Sequence, residues 1–326
     1  MKNPKPKNVN PRIIFMGTPE FAAVVLEKLY QENFGPQLVI TSPDKPVGRK
    51  GTITAPPVKD LAQKYKTKIL QPEKISDIKD KISAFNPDLI IVAACKQILP
   101  KEILSIPKFG CLNIHPSLLP KYRGPSPIQY AILKGEKETG ASIILMDEKI
   151  DHGPVIASIK LQIQNETCEQ LSIKLAKLGT ELLIDVIPKW IKGSIECRPQ
   201  DESKVTHTKI IKKEDGKIDW KNSAQEIERK VRAFYPWPGA FAFFEEENSP
   251  KGIKMLKILE AEVLKQTEKG PFGVPGKVYI ASNEKIAVQA GKDFLIIKKL
   301  QLQGKSPTTS EDFLRGHVDF IGKILK

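Results

Sequence analysis

Short apolar runs alternate with amphipathic stretches over residues 12–160, and this alternation sets the first expectation of fold. Residues 13–16, 37–41, 89–93, 111–114, 142–146 and 155–159 read as strands. Strands that alternate with helical stretches predict a largely parallel α/β sheet, Rossmann-like, with helices between the strands. Phe21, Val25 and Leu29 recur at helical spacing behind Thr18, Pro19 and Glu20, where Thr18 would be the N-cap and Pro19 the first helical residue. Gly17-Thr18-Pro19 offers one glycine where a dinucleotide fingerprint needs three, which argues against an NAD or FAD site.

Farther along, Leu171, Leu175, Leu178 and Leu182 mark a long amphipathic helix running from Cys168 to near Trp190 and Gly193. The polar stretch that follows lacks periodicity and reads as a linker. The expected organisation is therefore a catalytic domain at 12–196, a linker at 197–212 and a second domain at 213–326. Ser223-Ala224-Gln225-Glu226 is a capping box, and Ile227, Val231 and Phe234 continue one apolar face as far as Tyr235-Pro236-Trp237-Pro238. Arg229, Lys230 and Arg232 leave the other side of that helix basic. Five strand candidates follow, at 239–244, 257–263, 276–281, 286–290 and 294–302, with Glu245-Glu246-Glu247 as a solvated hairpin tip. Such a set suits a small β-barrel.

At 326 residues, two domains are expected rather than one core. Hydrophobic residues make up 40% and charged residues 28%, and no run approaches the roughly 18 apolar residues of a membrane span. Residues 1–10 show neither a secretory signal nor a transit-peptide pattern and read as a disordered tail. Cys95, Cys111, Cys168 and Cys197 are widely separated, with no paired metal spacing, so reduced thiols in a cytoplasm are expected and no metal. The net charge of +14 is shared by both halves and fits either a polyanionic partner or a lysine-rich solvated surface. Location must decide between the two. Lys45, Arg49 and Lys50, set among prolines and glycines after the second strand, make a loop able to close over phosphates, although composition alone reads it as an ordinary solvated one.

The chemistry is concentrated in Asn113-Ile114-His115-Pro116-Ser117-Leu118-Leu119-Pro120 and in Asp151-His152-Gly153. Asn113 and His115 lie two apart on a predicted strand, so both side chains share one face. An amide and an imidazole can donate to a developing oxyanion, and Asp151 can orient or charge the imidazole. No plausible nucleophile stands beside them, so an attacking group from outside the chain is expected. An α-amino group, partly neutral at pH 7, needs no covalent enzyme intermediate.

These segments, with Arg12–Ala22, Ile98-Leu99-Pro100, Glu138-Thr139-Gly140 and Arg232–Pro238, resemble the formyltetrahydrofolate-dependent transformylases, especially the branch that formylates initiator methionyl-tRNA. The resemblance implies that Asn113, His115 and Asp151 are catalytic and that Ser142 positions them. It implies that Ser117, Leu118, Leu119 and Pro120, with Ile98 and Leu99, border the site of 10-formyltetrahydrofolate. It further implies an OB-like C-terminal domain that binds tRNA, with Lys45, Arg49, Lys50, Arg229, Lys230 and Arg232 as the chain's tRNA contacts. A cytoplasmic monomer is expected. Cys95 and Lys96 depart from the family, which usually has an aromatic and a small residue there. Other amine acceptors (a sugar nucleotide or glycinamide ribonucleotide) and hydrolysis of the formyl donor remain alternatives, as does a catalytically silent RNA-binding module.

Overall fold

The computed structural model describes residues 11–47, 51–245, 252–265, 273–281 and 285–326. It divides into two compact units: one runs up to Pro127 and adds Glu138–Gln162 and Ser172–Thr208, and the other joins Ile128–Lys137, Ile163–Leu171 and Lys209–Lys326.

The strands of the first unit are β1 (Ile13–Gly17), β2 (Leu38–Ile40), β3 (Lys45–Val47), β4 (Thr52–Thr54), β5 (Lys68–Leu70), β6 (Leu89–Ala93), β7 (Cys111–His115), β8 (Glu138–Leu145) and β9 (Val155–Gln162). Seven form one sheet in the order β5-β2-β1-β6-β7-β8-β9, while β3 and β4 pair separately. From β5 to β7 every pairing is parallel, and β7-β8 and β8-β9 are antiparallel. The largely parallel sheet read from the sequence is thus present. Its helices are α1 (Glu20–Gln31), α2 (Pro57–Lys64), α3 (Lys79–Phe85), α4 (Lys101–Leu104), α5 (Pro127–Leu133) and α6 (Cys168–Ile191), the last two crossing the division between units.

Two local expectations shift. Pro19, not Thr18, is the cap residue of α1 and makes no side-chain bond; the Thr18 hydroxyl sits 3.0 Å from Ser42 Oγ and accepts the Ser42 N–H, so it is spent at the end of β2. On α6, Leu171 and Leu175 are fully buried, but the buried stripe continues through Leu183, Val186 and Ile187 and leaves Leu178 and Leu182 half-buried. A straight helix at 3.6 residues per turn drifts off a strict heptad seam, which explains the change. No described helix is long and apolar enough to cross a membrane.

The stretch read as a linker is not a free connection. Through Thr208 it belongs to the first unit, with a 3-10 turn at Glu202–Lys204: Arg198 pairs with Val155 in both directions, and Arg123 donates to Thr206 and accepts from Thr208.

In the second unit α7 (Ala224–Ala233) opens with the anticipated capping box, Ser223 Oγ accepting from the Glu226 N–H and the Glu226 carboxylate from that of Ser223. β10 (Ala240–Glu245), β11 (Ile253–Leu264), β12 (Val278–Ile280), β13 (Ile286–Gln289), β14 (Phe294–Leu302) and β15 (Thr308–Thr309) form an antiparallel sheet in the order β10-β11-β14-β13-β12, with β15 on β14. α8 (Ser310–Gly316) follows. Residues 323–326 close this sheet: Lys326 exchanges two backbone bonds with Phe243 of β10, while Leu325 donates to Gly276 and Lys323 accepts from Val278 of β12. Trp220, Phe244, Phe313, Phe320 and Leu325 fill the core. Glu246 and Glu247 of the expected hairpin tip lie outside the described residues.

Candidate active site

β7 delivers Asn113 and His115 to the same face, as period two requires, with the backbone between them buried against β6 and β8. Asp151 comes from the connection between β8 and β9. Its Oδ1 lies 3.4 Å from His115 Nδ1 and 3.4 Å from Asn113 Nδ2, so one carboxylate oxygen gathers both partners. Its Oδ2 accepts the Gly124 N–H at 2.8 Å. The three side chains predicted to converge do so.

The other ring nitrogen, His115 Nε2, is 3.0 Å from the Tyr122 carbonyl oxygen. A carbonyl only accepts, which assigns a hydrogen to Nε2 and leaves Nδ1 as the ring atom that faces Asp151. Burial pushes the Asp151 carboxyl up, but the charge of His115, the bond to it, the Gly124 N–H and the charge of Arg123 outweigh burial and hold it below the usual 3.8. Asp151 is therefore an anion in a largely dry site.

Both supports of the imidazole sit in left-handed backbone conformations, Asp151 at φ 50° and Tyr122 at φ 63°. For a tyrosine this conformation is costly, about 1–3 kcal/mol, and it persists only where neighbours impose it. Gly124 lies at φ 109°, and a Cβ there would meet Thr208 Oγ1 at 2.8 Å, so the turn that offers its N–H to Asp151 needs glycine.

Ser142, fully buried, stands opposite His115 on β8. Its Oγ donates to the Ser117 carbonyl at 2.8 Å, accepts the Leu119 N–H at 3.2 Å and lies 3.0 Å from Ser158 Oγ. It touches the turn after His115 rather than the imidazole. Ser117 is equally buried, its hydroxyl donating to the Lys121 carbonyl at 2.6 Å. Leu118 packs on the backbone of Gly140, and Leu119 precedes the cis peptide of Pro120. Of the predicted folate neighbours, Leu99 belongs to the sheet core, whereas Ile98 is 65% exposed. A groove of about 390 Å³ is lined by Lys101, Leu104, Ser105 and residues 146–149, the start of the connection that carries Asp151.

Arg123 is turned into the protein rather than toward solvent. It is 4% exposed, with two bonds to Gln200 Oε1 and two to the Glu202 carboxylate. Gln200 in turn donates to the carbonyls of Asp151 and Gly153, both at 2.8 Å. Sequence reasoning passed over Gln200, Tyr122 and Gly124. Two of them act through backbone atoms, which leave no pattern, and Gln200 lies in the aperiodic stretch.

The expected phosphate contacts divide. Lys45 is exposed on β3, while Arg49 and Lys50 lie outside the described residues. Lys230 is half-buried and donates to the Lys217 carbonyl at 2.7 Å; burial pushes its ammonium down, although Asp215 and Asp219 pull the other way. Arg232 is paired with Glu228 at 2.5 Å and bonded to the Glu166 carbonyl; Arg229 packs on Gly135. The basic side of α7 is largely occupied by contacts within its own unit. Among the described residues no cluster of three His, Cys, Asp or Glu side chains is arranged to hold a metal.

Comparison with known proteins fits this geometry. Residues 11–187 match the formyl transferase family and residues 210–318 its C-terminal domain. A methionyl-tRNA formyltransferase of Myxococcus xanthus is 41% identical over 94% of this chain and 95% of its own length, and one of Bacillus subtilis is 40% identical over 96% and 97%. Among solved structures, HypX of Aquifex aeolicus in complex with tetrahydrofolic acid superposes with a TM-score of 0.62 at 18% identity, covering 95% of this chain and 47% of that one. An N-formyltransferase of Helicobacter canadensis, in complex with folinic acid and dTDP-3-aminofucose, gives 0.62 at 19% over 88% and 98%. Likeness at that identity speaks for the fold, and the sequence matches over nearly the whole length go further: the chain belongs to the formyl transferase family.

Proposed function

We propose that this protein transfers the formyl group of 10-formyltetrahydrofolate to the amino group of initiator methionyl-tRNA, in the cytoplasm, with Asn113, His115 and Asp151 as its catalytic set. The observation that carries the reading is the meeting of those three side chains on one carboxylate oxygen, with no activated nucleophile among them. Cys111, two residues from Asn113, is 1% exposed, and burial pushes its thiol up to about 12, so it supplies no thiolate. The amine of the acceptor must attack directly.

Asn113 has a second amide hydrogen beyond the one facing Asp151, and in this reading that hydrogen meets the charge developing on the formyl oxygen. His115 Nδ1 takes the proton released by the attacking amine and passes one to the departing nitrogen, while Asp151 stabilises the charge that this places on the ring. Ser142 holds the turn of residues 117–119 against β8. The formyl donor supplies an activated one-carbon group. In this reading its flat ring system packs on the large apolar side chains left in solvent on the connections after β6 and β8, Ile98 at 65% exposure and Ile150 at 59%.

The reading of the charged partner rests on the relatives' acceptor and on the net charge of +14. Lys45, Arg49 and Lys50 would meet the acceptor arm, and the barrel of residues 213–326, Arg229 included, would carry further contacts. The matching experiment is formyl transfer measured in parallel on methionyl-tRNA, glycinamide ribonucleotide and an amino-sugar nucleotide. Transfer to methionyl-tRNA alone is expected; preferential transfer to another amine would overturn the acceptor while leaving the chemistry in place.

A further inference from the structure

Asp151 and Tyr122 lie on two different connections, and the same segment clasps both. Gln200 Nε2 donates to the Asp151 and Gly153 carbonyls, both at 2.8 Å, fixing the backbone on either side of His152. Six residues on, Thr206 Oγ1 accepts the Tyr122 N–H at 2.8 Å, and the Thr206 carbonyl accepts the Arg123 N–H at 2.9 Å. Thr208 continues the ladder, its N–H donating to the Arg123 carbonyl at 2.8 Å and its Oγ1 accepting from the Ser126 N–H at 3.1 Å. Between these points the Arg123 guanidinium ties Gln200 Oε1 to the Glu202 carboxylate. His152 adds a further link, with Nδ1 2.5 Å from Asp147 Oδ2 and Nε2 3.7 Å from Glu202 Oε1.

We infer that residues 198–208 are a strap that sets the register of the catalytic trio, and that Gln200 and Thr206 are positioning residues, acting through Asp151 and Tyr122. The physical argument is strain with a purpose. Neither left-handed residue is a glycine, so each needs an outside bond to remain where it is. Releasing Asp151 withdraws its oxygen from Asn113, His115 and Gly124 together; releasing Tyr122 frees the Nε2 end of the same imidazole. Both ends of the His115 ring are thus fixed through one segment that acts on its two partners, Asp151 and Tyr122. Burial pushes the Asp151 carboxyl up while the bonds from His115 and Gly124 push it down, so loss of those two bonds shifts the balance upward.

The inference rests on the catalytic reading of Asp151, and the test separates the two. Gln200→Met keeps the side-chain length and removes both donors. Thr206→Val keeps the shape and removes the acceptor, whereas Thr206→Ser restores it; Thr206 is exposed, so these two variants put little demand on folding. Steady-state formyl transfer, its pH profile and thermal unfolding are measured for each, with Asp151→Asn as reference. Expected is a fall in kcat of about ten- to a hundredfold for Gln200→Met and Thr206→Val, the scale of an ångström-sized misplacement. KM for the formyl donor should stay within about twofold, the acid limb should move up in pH for Gln200→Met, and Thr206→Ser should recover most of the rate. Normal kcat in Gln200→Met and Thr206→Val, while Asp151→Asn is inactive, sinks the strap and spares the trio; full activity in Asp151→Asn sinks the trio itself. Losses that follow the melting temperature alone, with Thr206→Ser no better than Thr206→Val, also overturn the inference.

Discussion

Asp151 Oδ1 is equidistant, at 3.4 Å, from His115 Nδ1 and Asn113 Nδ2, and this shared oxygen makes the carboxylate the hub of the site rather than a partner of the histidine alone. Removing any spoke should therefore disturb the other two. His115→Ala is expected to lower kcat by about 10²–10⁴-fold, the usual worth of general acid–base catalysis, with little change in KM for the formyl donor. Asn113→Ala should cost about 2.7–4 kcal/mol of transition-state stabilisation. Single-turnover rates check both, and near-normal turnover in His115→Ala would remove the histidine from the mechanism.

The Asp151 carboxyl also links activity to acid stability. Its pKa is held below 3.8 in the folded protein, so the folded state favours the ionised form. The contribution is fully present above 3.8 and is lost as pH falls below it through the lower folded value. The stability difference between the wild type and Asp151→Asn should accordingly be widest near neutrality and narrow on acidification below 3.8. Urea unfolding at a series of pH values reads this directly, and a gap that widens in acid contradicts the assigned direction.

Ser142 illustrates what a fully buried hydroxyl does here. Ser142→Ala leaves the Ser117 carbonyl and the Leu119 N–H without that partner in a dry place, and each orphaned group costs about 1–3 kcal/mol. A lower melting temperature and weaker binding of the formyl donor are expected together, because the turn bordering that site loosens. Isothermal titration with a non-transferable folate measures the second effect. Unchanged affinity with lowered stability would make Ser142 purely structural.

The elements that were legible from the sequence are those where one periodicity governs both local structure and burial. β7 is the clearest case: the two-residue spacing of Asn113 and His115 put both side chains in one site before any tertiary contact was known. The capping box at Ser223 reads equally well, because its four residues contain their own bonding partners. What stayed hidden depends on residues distant in sequence. Thr18 has the residue type of an N-cap, yet Ser42 takes its hydroxyl. Arg232 has the residue type of a phosphate contact, yet Glu228 and the Glu166 carbonyl engage it. Gln200 bonds to a residue 49 positions away, and no local pattern reports that distance.

Arg232 has work inside the protein, whereas the loop of Lys45, Arg49 and Lys50 is proposed to meet a polyanion, and mutation should separate the two roles. Replacing Lys45, Arg49 and Lys50 by alanine is expected to weaken methionyl-tRNA use. It should also reduce the salt dependence of tRNA binding by about 0.7–0.9 in log–log slope for each phosphate no longer neutralised. Arg232→Ala should instead cost about 1.5–3 kcal/mol of stability, since it strips a charged partner from Glu228, whose side chain is 13% exposed. Filter binding across a salt series, set beside thermal unfolding, distinguishes the two groups. A flattened salt slope in Arg232→Ala would return that residue to the tRNA interface.

The barrel of the second unit depends on residues that no strand pattern flagged. Residues 323–326 lie between β10 and β12 and satisfy backbone groups on both edges, through the paired bonds of Lys326 with Phe243, the Leu325 N–H to Gly276 and the Val278 N–H to Lys323. Without them two edges are left open, each with unpaired donors and acceptors. The Leu325 side chain, 2% exposed within the barrel core, contributes about 1.5–3 kcal/mol by its burial alone. Deleting residues 323–326 should thus lower the unfolding temperature of this unit by roughly 4–8 °C for each kcal/mol lost. Leu325→Ala, which keeps the backbone bonds and removes only the side chain, should show part of that decrease. Calorimetry of the full-length chain resolves both variants, and a deletion that melts like the wild type would mean that the edges of the sheet are satisfied in some other way.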